Sequence, residues 1–211
     1  MLVLGSSQHI NTFNIDKIKS LSIQDLTVVK RRSGGGAVLA IPDSFFWFNL
    51  LIPAEDKLYE PNLTKSFDWL GQKLYLTLKK LKFGTVQDLE SDLRVNKSKL
   101  THNPAGKLWC FMDSNYGEIF VQDKKLVGIS QRRTKYGSCY SVGINIKSEF
   151  EIMWLLTRSF LTRSSNIQYC LEEPVGHEDS IVFEFENRIA VFEMLDTDSF
   201  IQLFLEELDR R

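Results

Sequence analysis

The sequence predicts a domain of mixed α and β structure. The segments Leu26–Lys30 and Phe45–Ile52 are apolar or β-branched, as in strands. The apolar residues of Leu63–Leu81 recur at steps of three and four, as on one face of a helix, and Ser199–Leu208 has a similar pattern. Taken alone, the residues support no finer class than mixed α and β.

The composition is that of a globular protein and limits the classes of function. The chain has 211 residues, 43% of them hydrophobic and 25% charged, which suffices for one core, so we expect a single domain over 1–211. A net charge of −1 does not indicate a nucleic-acid or membrane partner. Three cysteines without paired spacing argue against a disulfide framework and a zinc site, and favour a reducing cytoplasm.

Neither a signal peptide nor a membrane span is predicted. Met1–Gly5 has no basic region followed by a long apolar run, and Phe45–Ile52 is too short to cross a bilayer. The first strand is instead expected at Leu2–Gly5, almost at the start of the chain. Further strands are expected at Ala37–Leu39 and Ser44–Pro53. Because Phe45–Ile52 is apolar on both faces, we expect this strand at the centre of a sheet.

The helix at Leu63–Leu81 is expected to pack on the core and to end at Gly84. The polar residues from Asp88 to Gly106 predict a long loop. Gly117–Ile129 predicts a strand–turn–strand unit with its turn at Gln122–Lys124. The other expected elements are a helix at Asp16–Leu21, a strand at Gly143–Ile146 and a helix at Phe150–Thr162, with ambiguous segments at 181–185 and 190–192.

The most unusual stretch is a basic pair, Arg31 and Arg32, followed by Ser33 and the glycines Gly34, Gly35 and Gly36. Three glycines in a row cost backbone entropy, but their bare N–H groups can approach a ligand closely. The arginines supply charge-assisted donors for carboxylate or phosphate. The stretch is therefore either an anion-binding loop or a flexible hairpin loop. It is not a phosphate loop or a dinucleotide fingerprint, since no Lys-Ser/Thr follows and the glycine spacing differs.

Two blocks in this order resemble the lipoate–protein ligase and octanoyltransferase family. They are Arg31–Val38 and, about ninety residues later, Asp123–Arg132, in which Lys125 matches the family lysine that touches the acyl group or acyl-phosphate. The resemblance implies an α+β fold like that of biotin/lipoate ligase catalytic domains, with a mixed, mostly antiparallel sheet packed by helices. It implies attachment of lipoate or octanoate to a lysine of a lipoyl carrier domain, or of a glycine-cleavage H-type carrier protein.

In the ligase route that the resemblance implies, ATP and the acid form an acyl-adenylate, which the carrier lysine then attacks. ATP and Mg²⁺ are the implied cofactors, with the ion bridging phosphates rather than held in a protein metal site. Lys125 is the implied catalytic residue. The expected acyl- and nucleotide-binding residues are Arg31, Arg32, Ser33, Gly34, Gly35, Gly36, Ala37, Gly128, Ser130, Gln131 and Arg132.

A transferase route without ATP or another cofactor is the second hypothesis. In one class of octanoyltransferase the nucleophile lies in a Cys-Phe pair ahead of a Glu-containing strand and the lysine turn. Cys110, Phe111, Glu118 and Lys125 stand in that order here. A cysteine nucleophile needs thiolate character, which Lys125 could supply. The alternative is that Cys110 is a small buried apolar residue.

The chain departs from the family pattern at three places. Ala40–Ile41 replaces a His-Asp pair and Val142–Gly143 replaces a His-Gly pair. Several dozen N-terminal residues of the family are also missing, so we expect a sheet edge that a partner subunit could cover. A third hypothesis is therefore a member that binds acyl groups or carriers without turnover. Because Lys125 is expected at a turn, its replacement by Ala should abolish transfer and leave the fold intact.

Overall fold

The computed structural model describes residues 1–13, 26–81, 93–98, 108–147, 153 and 195–210. Several expected elements lie wholly or almost wholly outside these residues: the helices at Asp16–Leu21 and Phe150–Thr162, the segments at 181–185 and 190–192, and the helix stop at Gly84.

In the described part of the chain, eight strands form two sheets. The small sheet places β1 (Leu2–Leu4) between β2 (Val28–Lys30), which is parallel to it, and β3 (Val38–Leu39), which is antiparallel. The large sheet is antiparallel, in the order β4-β8-β7-β6-β5. Its strands are β4 (Phe45–Pro53), β5 (Leu93–Val95), β6 (Ile119–Val121), β7 (Lys124–Thr134) and β8 (Gly137–Asn145). The predicted α+β class with a mostly antiparallel arrangement is confirmed.

Both predicted amphipathic helices that fall within the described residues are present. Helix α1 spans Leu63–Lys80, and helix α2 spans Thr197–Asp209. The Asn62 side chain caps α1 by accepting the Lys65 N–H, which satisfies one of the free donors of the first turn. Neither helix is long and apolar enough to cross a membrane.

The expectation of a central strand at Phe45–Ile52 is wrong, because β4 lies at the edge of the large sheet as far as the chain is described. Its two faces are apolar because each contacts a different core. Phe46 and Phe48 pack with α1, α2 and the large sheet. Phe45 and Trp47 pack with the core beneath the small sheet. The apolar residues on both faces of β4 therefore reflect its contacts with two cores.

The predicted loop from Asp88 to Gly106 contains β5, which pairs with β6. The strand has only three residues and only Leu93 is buried, so no alternation is visible in the sequence. Arg94 lies over the Phe120 ring and forms an ion pair with Asp123. This part of the predicted loop is polar because exposed side chains such as Arg94 make their contacts at the edge of the sheet.

The strand–turn–strand unit is confirmed, with its turn at Gln122 and Asp123. Between β6 and β7 the register shifts, because Ile119 faces Val127 whereas Phe120 faces Lys125. Leu126 is therefore an extra residue in β7, as in a β-bulge. Bulges change the direction of nearby side chains, and this one lies next to Lys125.

Candidate active site

A cavity of about 380 Å³ lies where the glycine loop (34–36) meets β7. Helix α1 contributes Leu63 and Phe67 to its wall, and the segment before β6 contributes Cys110, residues 113–115 and Glu118. Strand β7 contributes Lys125 and residues 129–131. Both sequence blocks that carried the resemblance therefore border one cavity, whose volume suits a small ligand.

The glycine loop is fixed to the chain segment that carries Cys110. The Ala37 N–H donates to the Leu108 carbonyl at 2.6 Å, and the Cys110 N–H donates to the Ala37 carbonyl at 2.9 Å. A Cβ on Gly36 would lie 2.6 Å from the carbonyl carbon of Trp109. Gly36 is thus required by close backbone packing, which a side chain would prevent.

Arg31 stabilises the glycine loop through hydrogen bonds made from outside the cavity. Its guanidinium donates to the Gly34 carbonyl at 2.8 Å and to the Gly36 carbonyl at 2.9 Å. Arg32 is exposed and, like Arg31, does not line the cavity. In this structure the basic pair therefore supports the loop rather than facing the cavity.

Hydrogen bonding also joins the loop to β7. Ser33 Oγ lies 3.0 Å from Ser130 Oγ, and Ser130 lines the cavity. Gly128 leaves room for its neighbours, since a Cβ there would lie 3.1 Å from the Phe111 ring and 3.3 Å from Lys125 Cε. Arg132 is exposed and does not line the cavity.

Lys125 lies in β7 and is 2% exposed, so the expectation of a turn lysine is wrong. Its Nζ lies 2.6 Å from Glu118 Oε1 and donates to the carbonyls of Cys110 at 2.9 Å and Asp113 at 3.1 Å. An ammonium has three donors, so these three acceptors use all of them. The Phe111 ring lies 5.2 Å from Nζ and adds a cation–π contact.

Glu118 is the buried partner of Lys125, and it too is 2% exposed. Its carboxylate accepts the N–H of Asn115 at 2.7 Å and that of Ile129 at 3.4 Å. Burial raises the pKa of Glu118, while the Lys125 charge opposes that shift. In the sequence, Glu118 appears only in the Cys-Phe, Glu and Lys order of the transferase hypothesis, and not among the predicted catalytic or binding residues. The available signal was a carboxylate at the start of an apolar strand, across the turn from Lys125.

Cys110 is a half-buried free thiol at the first residue of the 3₁₀ turn Cys110–Met112. It lines the cavity, and its Sγ lies 3.8 Å from the position that a Cβ on Gly35 would take. Gly35 itself has φ of 99°, a backbone conformation that favours glycine. The thiol, the glycine loop and the backbone carbonyl that Lys125 binds therefore meet in one place.

Gln131 also lines the cavity, and its amide belongs to a chain of hydrogen bonds. Its Oε1 accepts from Arg133 Nε at 3.0 Å and lies 3.4 Å from Ser66 Oγ, whose one hydrogen is directed at the Leu63 carbonyl at 2.7 Å. Arg133 in turn donates to the carbonyls of Glu60 and Pro61 and to Ser66. No sequence pattern distinguishes Arg133 from the exposed Arg132 beside it.

The cavity combines an apolar wall with a polar end. Leu63, Phe67 and Ile129 can contact a hydrocarbon tail, and Leu63 is exposed at 56% although it belongs to the apolar stripe of α1. The glycine loop, Cys110 and Lys125 supply the polar end. Among the described residues, no group of three His, Cys, Asp or Glu could hold a metal ion, and Asp113 and Glu118 are the two acidic residues that line the cavity.

Comparison with known proteins gives one family and several similar structures. The family model for the lipoyl protein ligase A/B catalytic domain matches residues 1–182. No protein with a curated description matches the sequence significantly.

The similar structures share the fold at low sequence identity. A structure of an archaeal bi-partite lipoate protein ligase and its E2 lipoyl domain, from Thermoplasma acidophilum, gives a TM-score of 0.61 at 12% identity. The match covers 98% of this chain but only 65% of that one. A putative lipoate protein ligase of T. acidophilum with bound lipoic acid gives 0.54 at 16% identity, over 99% and 77% of the two chains. Lipoate-protein ligase A bound with ATP gives 0.54 at 15% identity, over 100% and 78%.

Proposed function

Because the chain belongs to the lipoyl protein ligase A/B catalytic domain family, we propose that it attaches a lipoyl or octanoyl group to a lysine of a carrier domain. The observation that carries the proposal is the meeting of the glycine loop, Cys110 and Lys125 at one cavity with an apolar wall. A lipoyl carrier domain is the proposed partner, since a similar archaeal ligase was studied together with its E2 lipoyl domain.

The first route is the ATP-dependent one, through an acyl-adenylate. It is supported by the shared fold with a lipoate ligase that was solved with ATP. In this route the N–H groups of the glycine loop hydrogen-bond the acyl oxygens, where negative charge develops. Lys125 supplies positive charge to the same end of the cavity. The acid attacks the α-phosphorus of ATP and releases pyrophosphate, and the amine of the carrier lysine then displaces AMP from the acyl-adenylate. Mg²⁺ would be held by the phosphate oxygens, and Asp113, which lines the cavity, is the acidic residue that would add a ligand.

Lys125 has a specific requirement in either route. Its three donors are directed at Glu118 and two backbone carbonyls, so contact with a ligand oxygen requires it to release one of these acceptors. The carbonyls of Cys110 and Asp113 are the weaker partners because they carry no full charge. We expect ligand binding to replace one of them and to leave the ion pair with Glu118 intact.

The second route is a thioester on Cys110, and the position of its thiol at the cavity is the observation that favours it. The thiolate attacks the acyl carbon of an acyl-loaded carrier and releases that carrier's thiol. The amine of the acceptor lysine then attacks the thioester, so an amide forms, Cys110 is released and the amine proton passes to solvent. This route consumes no ATP.

The test is the mass of a lipoyl carrier domain after incubation with the purified chain. One mixture contains octanoate, ATP and Mg²⁺, and the other contains octanoyl-loaded acyl carrier without ATP. Acylation of the carrier lysine only in the first mixture supports the ligase. Acylation in the second mixture, with an octanoyl adduct on Cys110, supports the transferase.

One variant and one substrate control sharpen this test. Cys110→Ser should spare the ligase and stop the transferase, because a hydroxyl is far less nucleophilic than a thiolate. A carrier with Arg in place of its acceptor lysine should gain no mass. If wild-type protein modifies the carrier in neither mixture, the catalytic proposal is wrong and the chain binds acyl groups or carriers without turnover.

A further inference from the structure

The amide of Gln131 contains a buried donor that has no partner among the described residues. Nε2 of this side chain is shielded from solvent and makes no hydrogen bond there. Buried polar atoms are almost always paired, so an unpaired one at the wall of a cavity calls for an explanation. An arriving ligand with an acceptor oxygen would supply the missing partner.

The direction of the amide is fixed by its neighbours. The guanidinium of Arg133 has donors only, so the atom that it contacts at 3.0 Å must be the amide oxygen. Ser66 Oγ lies 3.4 Å from the same oxygen, but its one hydrogen is directed at the Leu63 carbonyl at 2.7 Å, so the contact with Arg133 fixes the orientation. Rotating the amide by half a turn would place two sets of donors against each other. Nε2 is thus held on the side away from Arg133.

Two other side-chain donors at this end of the cavity, those of Lys125 and Ser130, already have protein partners. Lys125 directs its three donors at protein acceptors, and Ser130 Oγ lies within hydrogen-bond distance of Ser33 Oγ. Gln131 is on the same strand, one residue after Ser130. Nε2 is shielded in this structure, so it binds a ligand oxygen once the side chain shifts toward the cavity. That shift breaks no hydrogen bond of Nε2, whereas Lys125 must release an acceptor.

We propose that Gln131 Nε2 donates a hydrogen bond to an anionic oxygen of the bound ligand, and that Arg133 is a positioning residue that keeps the amide in this orientation. The inference rests on the proposed function only for the identity of that oxygen, which belongs to the acyl carboxylate or to a nucleotide phosphate. A neutral donor recognises either oxygen without adding charge to the Lys125–Glu118 pair.

Calorimetric titration of the purified chain with octanoate, and separately with AMP, tests the role of Gln131. Gln131→Met keeps the length of the side chain and removes its donor, so the affinity for one of these ligands should fall about tenfold or more. Gln131→Glu keeps an acceptor for Arg133 and should weaken binding at least as much. Gln202→Glu makes the same chemical change on the exposed surface of α2 and should leave both affinities unchanged.

The pattern of losses identifies the oxygen. A loss confined to octanoate assigns it to the acyl carboxylate, and a loss for AMP assigns it to phosphate. If Gln131→Met binds both ligands as wild type does, the inference is wrong, even where Gln131→Glu is weakened, because charge repulsion alone would explain that variant. If wild-type protein binds neither ligand, the inference fails together with the ATP-dependent route, while the carrier-acylation test still decides the transferase route, so the two failures are distinguishable.

The role of Arg133 is tested by a double-mutant cycle in the same titration. Arg133→Met should weaken binding in the wild-type background, because the amide is then free to rotate, and should have little further effect in the Gln131→Met background. Arg133→Lys, which can still donate one hydrogen bond to Oε1, should recover part of the affinity. An equal loss in both backgrounds would show that Arg133 acts on the structure generally and not through Gln131.

Discussion

The Lys125–Glu118 pair places two opposite charges in the interior, with each side chain 2% exposed. Removing both ions from water is costly, and their attraction offsets that cost only with good geometry and further hydrogen bonds. Both conditions hold here, since the backbone supplies two carbonyls to the ammonium and two N–H groups to the carboxylate. The pair therefore binds the segment before β6 to β7.

Replacing Lys125 by Met should lower the free energy of unfolding by about 3–5 kcal/mol, because Glu118 would remain buried without its partner. Urea denaturation followed by circular dichroism measures this change. Lys124→Met is the matched control next to it on β7, where we expect a change of less than about 0.5 kcal/mol.

A second substitution tests the cause of that loss. In the double variant Lys125→Met, Glu118→Leu no charge is left unpaired, so much of the stability should return. Equal stability of Lys125→Met and wild type would contradict the buried pair. The expectation that this lysine can be removed without cost to the fold treats it as a turn residue, whereas it lies in β7, is 2% exposed and is paired with Glu118.

The three glycines of the glycine loop differ in why the structure requires glycine at each position. Gly36 packs against the backbone of Trp109 and Cys110, and Gly35 has a positive φ. Gly34 has no atom within 4 Å of the position that its Cβ would take. Packing within the described residues explains Gly36 and Gly35 but gives no reason for glycine at 34.

Gly36→Ala should destabilise the protein by about 1–3 kcal/mol, since its methyl group would overlap main-chain atoms that cannot simply rotate away. Thermal or urea unfolding measures the effect. Gly34→Ala is the matched control two residues away, and its stability should stay within about 0.5 kcal/mol of wild type. Comparable losses for both variants would contradict the described packing of the loop.

A larger side chain at Gly34 tests whether ligands pass over the loop. Gly34→Leu should fold as wild type does, because the site is open, but should weaken octanoate binding about tenfold or more by filling the cavity edge. Titration calorimetry measures the affinity. Unchanged affinity in a folded Gly34→Leu protein would remove this part of the loop from the binding site.

Much of the arrangement of helices and strands could be predicted from the sequence. The periodicity of α1 and α2 reflects the one core that both helices face, so their positions follow from the pattern. The position of β4 in its sheet could not be predicted from the pattern, because a strand between two cores is apolar on both faces, as a central strand is. The three-residue strand β5 has too few side chains to show alternation.

Some residues of the candidate site could likewise be predicted from the sequence, and others could not. The glycine loop, Cys110 and Lys125 lie in motifs whose residue types are unusual, and the structure brings all of them to one cavity. Glu118, Leu63 and Arg133 were not among the predicted site residues because their roles depend on contacts between distant segments. Arg133, for example, reaches carbonyls more than seventy residues earlier in the chain.

At the scale of the whole molecule, α2 closes the larger core against α1 and β4. Phe200 and Phe204 lie in that core, and Glu207 forms ion pairs with Lys80 at the end of α1 and with Arg210. Glu207 is only 2% exposed, and these contacts join the two helices at their C-terminal ends.

The Lys80–Glu207 contact predicts a dependence of stability on pH. The hydrogen bond from Lys80, assisted by the charges of Lys80 and Arg210, holds the pKa of Glu207 below its ordinary value of 4.5. The unfolded chain therefore binds the proton more readily, so the contribution is present at neutral pH and is lost as pH falls through the lowered pKa.

Glu207→Gln should accordingly be less stable than wild type at pH 7, and the difference should vanish in strong acid, where the wild-type carboxyl is protonated. Urea denaturation across this pH range measures the difference. Glu206→Gln, on the exposed side of the same turn, is the control and should track wild type throughout. A difference that persists unchanged into strong acid would mean that packing, and not charge, is responsible.

A crystal structure of the chain soaked with octanoate decides whether the glycine loop, Cys110 and Lys125 form one acyl-binding site. We expect the tail against Leu63, Phe67 and Ile129, with the carboxylate within about 4 Å of the Cys110 thiol and of Lys125 Nζ. Octanoate bound elsewhere, with this cavity empty at saturating ligand, would contradict it.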